Sequence, residues 1–137
     1  MALTHLADTS VLKRLGEPTV RTIVAGWAKA GVLARASIGD LEIGCSARNE
    51  AEWDRLLASL EVLSVIETTD RHVARALQVQ RMLAARSQRG RRIPDLLIAA
   101  AAEGAGVTLV HYDHDYEAIG RVTGQPTRWL APKGSLR

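Results

Sequence analysis

The sequence predicts an α/β domain in which a central, mostly parallel sheet is flanked by helices on both faces. Short apolar runs alternate along the chain with segments whose apolar residues recur at helical spacing. Parallel neighbours need crossover connections, and a helix between successive strands supplies them. With 137 residues, 47% of them hydrophobic and 24% charged, the chain has the size of one globular domain. We therefore expect a single domain over residues 1–137, with a frayed tail from residue 131.

Five short segments have the composition of strands, because they are apolar or rich in β-branched residues. In chain order they are residues 5–7, 32–36, 62–66, 107–110 and a final extended piece that includes Trp129 and Leu130. The run 107–110, Val-Thr-Leu-Val, is the clearest of them. A strand that is buried on both faces is expected to be apolar in this continuous way.

The intervening segments predict helices, most of them with a recognisable start. Pro18 fits the first turn of the second helix, Ser37 is a suitable N-cap for the third, and Thr69 or Asp70 caps the fifth. The sixth helix is apolar nearly all round, which predicts that it is buried. The predicted helices cover residues 10–15, 17–29, 37–45, 50–60, 69–85, 94–102 and 116–121.

The cysteine count and the length of the apolar runs bear on the cellular compartment. The single cysteine, Cys45, excludes an internal disulfide, so the fold does not depend on oxidising conditions. Residues 1–6 lack a basic region followed by a long apolar stretch, and no later segment is apolar over the length of a membrane span. We predict a soluble, cytoplasmic protein with no membrane contact.

The charge of the chain is mildly positive and unevenly distributed. Lysine and arginine number 18 against 15 acidic residues, a formal net charge of +3, which is too small an excess for a protein that coats DNA. Four arginines crowd the stretch just before Asp95: Arg86, Arg89, Arg91 and Arg92. They predict contact with a polyanion, and an equally open alternative is a solvated helix end that complements the helix dipole.

Three acidic motifs follow predicted strands or begin predicted helices. They are Ala7-Asp8-Thr9-Ser10, Pro94-Asp95 and His111-Tyr112-Asp113-His114-Asp115. In an open α/β sheet these strand ends lie along one edge, so the carboxylates are expected to converge. Converging carboxylates need a cation, and hard oxygen ligands suit Mg²⁺ or Mn²⁺. The sequence therefore predicts a divalent-metal site assembled from distant segments.

Each of these acids also has an ordinary structural explanation. Asp8 is in the position of a helix cap, and a carboxylate at Asp95 is favoured by the dipole of the helix that it begins. Asp113 and Asp115 are typical of a polar turn. The sequence alone leaves the cap, the turn and the metal site open at these positions.

Hydroxyl and imidazole groups accompany the acids. Thr9 and Ser10 can hydrogen-bond a metal ligand or a bound water molecule. His111 and His114 flank Asp113, but no cysteine or histidine spacing typical of zinc accompanies them. We therefore do not predict a zinc site.

Four motifs spread over nearly the whole chain carry a family resemblance. They are Ala7-Asp8-Thr9-Ser10, Leu41-Glu42-Ile43-Gly44, Ile93-Pro94-Asp95 with Ile98-Ala99, and Tyr112-Asp113-His114-Asp115-Tyr116 with Ile119. In this order the chain resembles the PIN-domain ribonucleases, and within them the VapC toxins of toxin–antitoxin pairs. The resemblance implies a PIN-like nuclease domain over residues 1–137.

The resemblance also implies an activity and the residues that perform it. A metal-dependent endoribonuclease would use an acidic quartet, here Asp8, Glu42, Asp95 and Asp113, with Asp115 as a fifth member. Asp40 competes with Glu42 for its place, and the Leu-Glu-Ile-Gly setting favours Glu42. The quartet would hold one or two Mg²⁺ or Mn²⁺ ions, so that water attacks the phosphodiester and leaves a 5′ phosphate. The arginine group at residues 86–92 would contact the RNA.

Partners follow from the same resemblance, and two alternative functions stay open. VapC toxins pair with a VapB antitoxin whose tail can block the acidic site, and they commonly form homodimers. One alternative is a protein-binding module whose acidic pocket holds a basic antitoxin peptide without cleavage. A phosphate-accepting receiver domain is the other. It is less favoured, because Asp8 lacks a paired acid and the middle strand ends in Glu67.

Overall fold

Five short strands form the central sheet of the protein. The computed structural model describes residues 2–88 and 90–136, and the strand pairings in that part of the chain are parallel. The strands are β1 (His5–Ala7), β2 (Leu33–Ala36), β3 (Ser64–Ile66), β4 (Thr108–His111) and β5 (Thr127–Trp129). Their spatial order, β3-β2-β1-β4-β5, places β1 in the middle with β2 and β4 beside it. The predicted parallel α/β fold is confirmed.

Within the described residues, seven helices connect and cover the strands. They are α1 (Thr9–Leu12), α2 (Pro18–Ala30), α3 (Ser37–Gly44), α4 (Glu50–Ser59), α5 (Asp70–Ala85), α6 (Ile93–Ala105) and α7 (Asp115–Thr123). Helices α2 and α6 both end at a glycine with a left-handed backbone, Gly31 and Gly106, a conformation that glycine adopts without a steric penalty. All seven predicted helices are present, with boundaries that differ by a few residues.

Side chains on alternate positions of the central strands separate two hydrophobic cores. Leu6 and Leu109 pack against α5, α6 and α7, whereas the adjacent residues Ala7 and Val110 pack against α2 and neighbouring elements. Successive residues of a strand face opposite sides of a sheet, so this division shows that both faces are covered. The layering is the one that the sequence predicts.

Two local predictions at the second and third strands are wrong. Ser37 does not cap α3, because Ala36 occupies the cap position and the Ser37 hydroxyl accepts a hydrogen bond from Thr68 N at 2.8 Å. The third strand begins at Ser64 and not at residue 62. The Arg35 guanidinium donates to the carbonyl oxygens of residues 60 and 63, which holds the chain before β3 in a turn.

The described part of the C-terminal segment makes several contacts with the rest of the domain. A frayed tail is expected from residue 131. In the described part of this segment residues 132–135 are exposed, and Ala131 and Leu136 are half-buried. Leu136 packs on the core that contains Val110, and its backbone N–H donates to the Tyr112 hydroxyl at 2.7 Å. Lys133 pairs with Glu117 of α7 at 3.1 Å. These contacts use side chains far from the tail in sequence, so the local composition of the tail does not reveal them.

The topology brings the predicted acids to one edge of the sheet. Asp8 follows β1 directly, and its backbone N–H donates to the carbonyl of Val110 in β4 at 2.9 Å. Asp113 follows β4, and Asp95 lies in the first turn of α6. Among the described residues, none of the helices is long and apolar enough to cross a membrane.

We expect the core face of α5 to be far more sensitive to truncation than its outer face. Leu83→Ala should lower the free energy of unfolding by about 2–5 kcal/mol, because Leu83 is 2% exposed and its loss leaves a cavity. Leu77→Ala, in the same helix but 62% exposed, should change it by about 0.5 kcal/mol or less. Equilibrium unfolding in urea measures both values. Equal losses would contradict the assignment of the core.

Candidate metal centre

Asp8 is buried at the end of the central strand and held by two donors. Its side chain caps α1, where Oδ2 accepts the backbone N–H of Ser10 at 2.9 Å. The other oxygen, Oδ1, accepts a hydrogen bond from the Tyr116 hydroxyl. The residue is 1% exposed. The cap that the sequence suggested is therefore present, and it leaves the carboxylate directed at other buried polar groups.

Asp95 is buried as deeply as Asp8, but one of its oxygens has no hydrogen bond. The residue is 2% exposed, and its Oδ1 lies 3.4 Å from the Tyr116 hydroxyl. Within residues 2–88 and 90–136, Oδ2 is a buried oxygen without a hydrogen-bond partner. A buried polar atom in this condition costs free energy unless a proton, a water molecule or a cation meets it. This oxygen marks a place where a cation could bind.

The surroundings of Asp95 favour its protonated form when no cation is bound. Burial, and then the negative charge of Asp8, raise the pKa of Asp95 from its ordinary value of 3.8 to about 7. The guanidinium of Arg92 acts in the opposite direction. The carboxyl group of Asp95 therefore exchanges its proton near neutral pH, the range in which a cation can compete for the same oxygen.

Glu42, and not Asp40, joins this pair. Glu42 Oε1 accepts from the Thr9 hydroxyl at 3.0 Å, and Oε2 lies 2.6 Å from Arg92 Nη2. Asp40 instead forms an ion pair with Arg35 at 2.9 Å. One oxygen each of Asp8, Glu42 and Asp95 lie within 4.8 Å of one another. We call Asp8, Glu42 and Asp95 the acidic trio.

Asp113 and Asp115 form a second group beside the trio. Together with His114 they offer ligand atoms within 4.8 Å of one another. Asp113 lines the same cleft as Asp8, and its Oδ1 accepts the backbone N–H of Asp115 at 3.0 Å. Asp115 forms an ion pair with Arg91 at 2.6 Å. Asp113 thus faces the cleft of the trio, whereas the Asp115 carboxylate is bound to an arginine.

The two hydroxyl residues after Asp8 have different contacts. The Thr9 hydroxyl donates to Glu42, so it supports a member of the trio as the sequence suggested. The Ser10 hydroxyl instead accepts the backbone N–H of Tyr112 at 2.8 Å, which ties the end of β4 to the start of α1. Thr9 also packs closely under α3, because a Cβ added to Gly39 would lie 3.1 Å from its methyl group.

Two members of the trio, Asp8 and Asp95, line a cleft of about 520 Å³ whose walls carry positive charge. Its lining residues are Asp8, Thr9, Ser10, Lys13, Arg14, Arg92, Asp95, Tyr112, Asp113, His114, Trp129, Lys133 and Gly134. Lys133 Nζ lies 5.7 Å from the centroid of the Trp129 ring. A smaller cavity beside the cleft is lined by the exposed Cys45 together with Lys13, Glu42 and Arg92. Acidic ligands and cationic walls occur together here, as a site for a cation and a polyanion requires.

The described members of the predicted arginine group differ in their contacts. Arg92 lines the cleft, whereas Arg91 is bound to Asp115 and Gln88. Arg86 is exposed at the end of α5, and Arg89 lies outside the described residues. The charge pattern before Asp95 therefore identifies one cation of the cleft. The sequence analysis did not identify the other cations of the cleft, Lys13, Arg14 and Lys133, although Lys13 and Arg14 stand close to Asp8 in sequence.

Tyr116 is a further residue that the sequence did not single out as part of the site. It is 0% exposed, and burial together with Asp8 and Asp95 raises the pKa of its phenol well above the ordinary value. His111 is also buried and packs 5.1 Å from the Tyr116 ring between centroids. Burial lowers the pKa of His111. These contacts cannot be predicted from the local sequence, because the partners lie in other elements.

The donor set fits a hard divalent cation. The trio supplies three carboxylates, one of them with a buried oxygen that lacks a hydrogen bond, and Asp113 adds a fourth carboxylate at the cleft. Oxygen ligands of this kind are those of Mg²⁺, Mn²⁺ and Ca²⁺, and not of soft metals. The arrangement can bind such an ion next to positively charged walls.

Comparison with known sequences identifies close relatives. A family model described as the PIN domain matches residues 6–122. Ribonuclease VapC51 of Mycobacterium tuberculosis (strain ATCC 25618 / H37Rv) is 57% identical over 136 residues, which cover 99% of each protein. Ribonuclease VapC21 of M. tuberculosis (strain CDC 1551 / Oshkosh) is 38% identical over 138 residues, covering 98% of this chain and 99% of the relative.

Comparison with solved structures supports the fold. The structure of DNA-bound VapBC from Salmonella typhimurium has a chain that matches with a TM-score of 0.76 at 18% identity, over 94% of this chain and 99% of that one. VapBC2 from Rickettsia felis, bound to a promoter DNA fragment, matches with a TM-score of 0.77 at 18% identity, over 94% and 98%. At this level of identity the similarity concerns the fold alone.

The pKa of Asp95 predicts how stability depends on pH. Between about pH 4 and pH 7 the folded protein retains a proton on Asp95 that the unfolded chain has released, so the free energy of unfolding falls as the pH rises. Asp95→Asn has no such proton, so its free energy of unfolding should rise relative to that of the parent over this interval. The gain should reach a few kcal/mol, since one pKa unit corresponds to about 1.4 kcal/mol.

Urea unfolding in the presence of EDTA, repeated across this pH interval, measures the difference between the two proteins. Asp54→Asn is the matched control, because Asp54 is exposed and its replacement leaves the buried acids intact. The control should follow the parent at every pH. If the free energy of unfolding of Asp95→Asn also follows that of the parent at every pH, Asp95 does not have a raised pKa.

Proposed function

The chain belongs to the PIN-domain family, and from that premise we propose that it is a divalent-metal-dependent endoribonuclease that acts as the toxin of a toxin–antitoxin pair. The observation that carries the proposal is the acidic trio at the carboxyl edge of the sheet, whose buried members Asp8 and Asp95 line a cationic cleft. The names of two relatives that align with nearly the whole chain, Ribonuclease VapC51 and Ribonuclease VapC21, support it.

The proposed ligands of the ion are the trio and Asp113. When bound, a divalent cation makes water a better nucleophile and stabilises the negative charge that develops on the phosphate. We propose Mg²⁺ or Mn²⁺ as the ion. Thr9 orients Glu42 through its hydroxyl, and the backbone N–H of Asp115 orients Asp113. The carboxylate of Asp115 is bound to Arg91, so we assign it a supporting role.

The walls of the cleft supply the contacts for the RNA backbone. Lys13, Arg92 and Lys133 surround the acids, and positive charge near a nuclease centre attracts phosphates that the acids would otherwise repel. Trp129 is half-buried beside Lys133, so its exposed part offers an apolar surface on which an unpaired base can stack. We therefore propose single-stranded RNA as the substrate class.

A partner protein completes the proposal. Matching structures contain VapBC complexes, and we propose that this chain likewise pairs with an antitoxin, whose basic tail reaches the acidic trio and competes with RNA. We further propose a homodimer and a cytoplasmic location, in keeping with the single cysteine. A module that only binds the antitoxin peptide would share these partners, but it would leave the RNA intact.

We expect purified protein to cleave single-stranded RNA only when Mg²⁺ or Mn²⁺ is present. Asp8→Asn and Asp95→Asn should each lower the rate by at least about 100-fold, because both replacements remove a carboxylate from the proposed ligands. Glu42→Gln should also lower it. A labelled oligonucleotide and gel analysis of the product ends measure cleavage, and the products should carry a 5′ phosphate.

Asp40→Asn serves as the matched control for Glu42→Gln. Both residues lie in α3, but Asp40 bonds to Arg35 and not to the trio. Cleavage that survives in Asp8→Asn and Asp95→Asn, or that proceeds fully in EDTA, would exclude the proposed centre. Antitoxin binding by a parent protein that never cuts RNA would favour the binding module.

Binding of RNA can be measured separately from cleavage. In an Asp8→Asn background with EDTA, Lys13→Gln and Lys133→Gln should each weaken binding of a labelled single-stranded RNA several-fold. Each lost phosphate contact should reduce the slope of log affinity against log salt by about 0.7. Arg86→Gln, which removes an exposed cation at the end of α5, is the control and should bind like its background. Equal losses in all three variants would contradict a specific track along the cleft.

A further inference from the structure

Tyr116 places a phenol in the interior next to two buried carboxylates. It is the second residue of α7, its ring contributes to the core that contains Leu109, and none of it is exposed. Its hydroxyl donates to Asp8 Oδ1 and lies 3.4 Å from Asp95 Oδ1. The hydroxyl thus bridges two members of the acidic trio.

Packing alone does not explain this hydroxyl. A ring without the oxygen would fill the same part of the core, whereas a buried hydroxyl costs free energy unless it is hydrogen-bonded. A phenol has one proton to donate, and Asp8 receives it. The hydrogen bond to Asp8 therefore explains why the hydroxyl oxygen lies at this position.

The orientation of Asp8 depends on two donors that approach its two oxygens. Ser10 N–H bonds to Oδ2 from the first turn of α1, and the Tyr116 hydroxyl bonds to Oδ1 from α7. Asp95, by contrast, has a buried Oδ2 without a hydrogen bond among the described residues. The Asp8 carboxylate is thus fixed in place, whereas the Asp95 carboxylate keeps an oxygen available for an ion.

We propose that Tyr116 is a positioning residue that fixes Asp8 for capture of a divalent cation by the acidic trio. Its hydroxyl sets the rotation of the Asp8 carboxylate and places a positive dipole between Asp8 and Asp95, which reduces their repulsion before the ion arrives. A ligand that is already oriented loses less conformational freedom when the ion binds. The inference rests on the ion-binding part of the proposed function and not on the identity of the RNA.

Tyr116→Phe tests this role without RNA. The variant keeps the ring in the core and removes only the donor to Asp8. We expect its apparent affinity for Mn²⁺, titrated into metal-free protein by calorimetry, to fall about 10- to 100-fold, the range found when a group that orients a metal ligand is removed. An affinity equal to or higher than that of the parent would overturn the inference.

Two further variants separate positioning from general loss of stability. Tyr112→Phe removes the other tyrosine hydroxyl, which accepts from Leu136 N, so it should lower stability without changing the Mn²⁺ affinity. In an Asp8→Asn background, Tyr116→Phe should have little further effect on Mn²⁺ affinity, because the ligand through which Tyr116 acts is gone. A full additional loss in that background would assign Tyr116 to structure alone.

If Tyr116→Phe does not fold, labelling with 3-fluorotyrosine keeps the inference testable. The chain contains 2 tyrosines, so ¹⁹F NMR should give two signals, which Tyr112→Phe assigns. The Tyr116 signal should shift when Mg²⁺ saturates the protein, and an unchanged signal would overturn the inference. Parent protein that binds Mn²⁺ but cuts no RNA contradicts the proposed function alone. RNA cleavage with an unaltered Mn²⁺ affinity in Tyr116→Phe contradicts the inference alone.

Discussion

The repulsion between buried carboxylates is the constraint on which the arrangement of this protein depends. Asp8 and Asp95 are 1% and 2% exposed, and a charge removed from water is costly unless opposite charge or donors compensate it. The protein compensates with Ser10 N–H and the Tyr116 hydroxyl at Asp8, Arg92 nearby, and a proton on Asp95. Each of these groups reduces the repulsion between the carboxylates, which a bound cation would also reduce.

The parallel sheet is what makes such a concentration of acids possible. β1 and β4 are adjacent and run in the same direction, so the chain leaves both at one edge and meets the first turns of α1, α3 and α6 there. Helix amino ends carry partial positive charge, which lowers the cost of carboxylates at Asp8 and Asp95. The two hydrophobic cores hold the strands and helices in this register. Stability and chemistry are therefore concentrated in different parts of one fold.

Features that depend on local pattern could be predicted from the sequence. The alternation of apolar runs and amphipathic segments predicts the parallel sheet, and an acid after a strand or before an apolar helix predicts Asp8 and Asp95. The Leu-Glu-Ile-Gly motif distinguishes Glu42 from Asp40, and the structure brings Glu42 to the pair. The catalytic and ligand roles of these residues stay predictions.

Features that depend on contacts between distant segments could not be predicted. Nothing in the sequence around Tyr116 states that its hydroxyl meets Asp8, 108 residues away in the chain. The same holds for Lys133, whose place at the cleft follows from the docking of a segment that composition describes as a tail. Arg91 illustrates the opposite case. It belongs to a cluster of arginines whose spacing suggests a common role, and the structure shows that it forms its own ion pair with Asp115.

The lone thiol offers an unusual opportunity for spectroscopy. Cys45 is exposed, has no competing cysteine in the chain, and borders the cavity shared by Glu42 and Arg92. A maleimide dye or a nitroxide spin label will therefore attach at one defined position. Such a probe sits close enough to the acids to report the arrival of an ion or a nucleic acid, and no engineered attachment point is required.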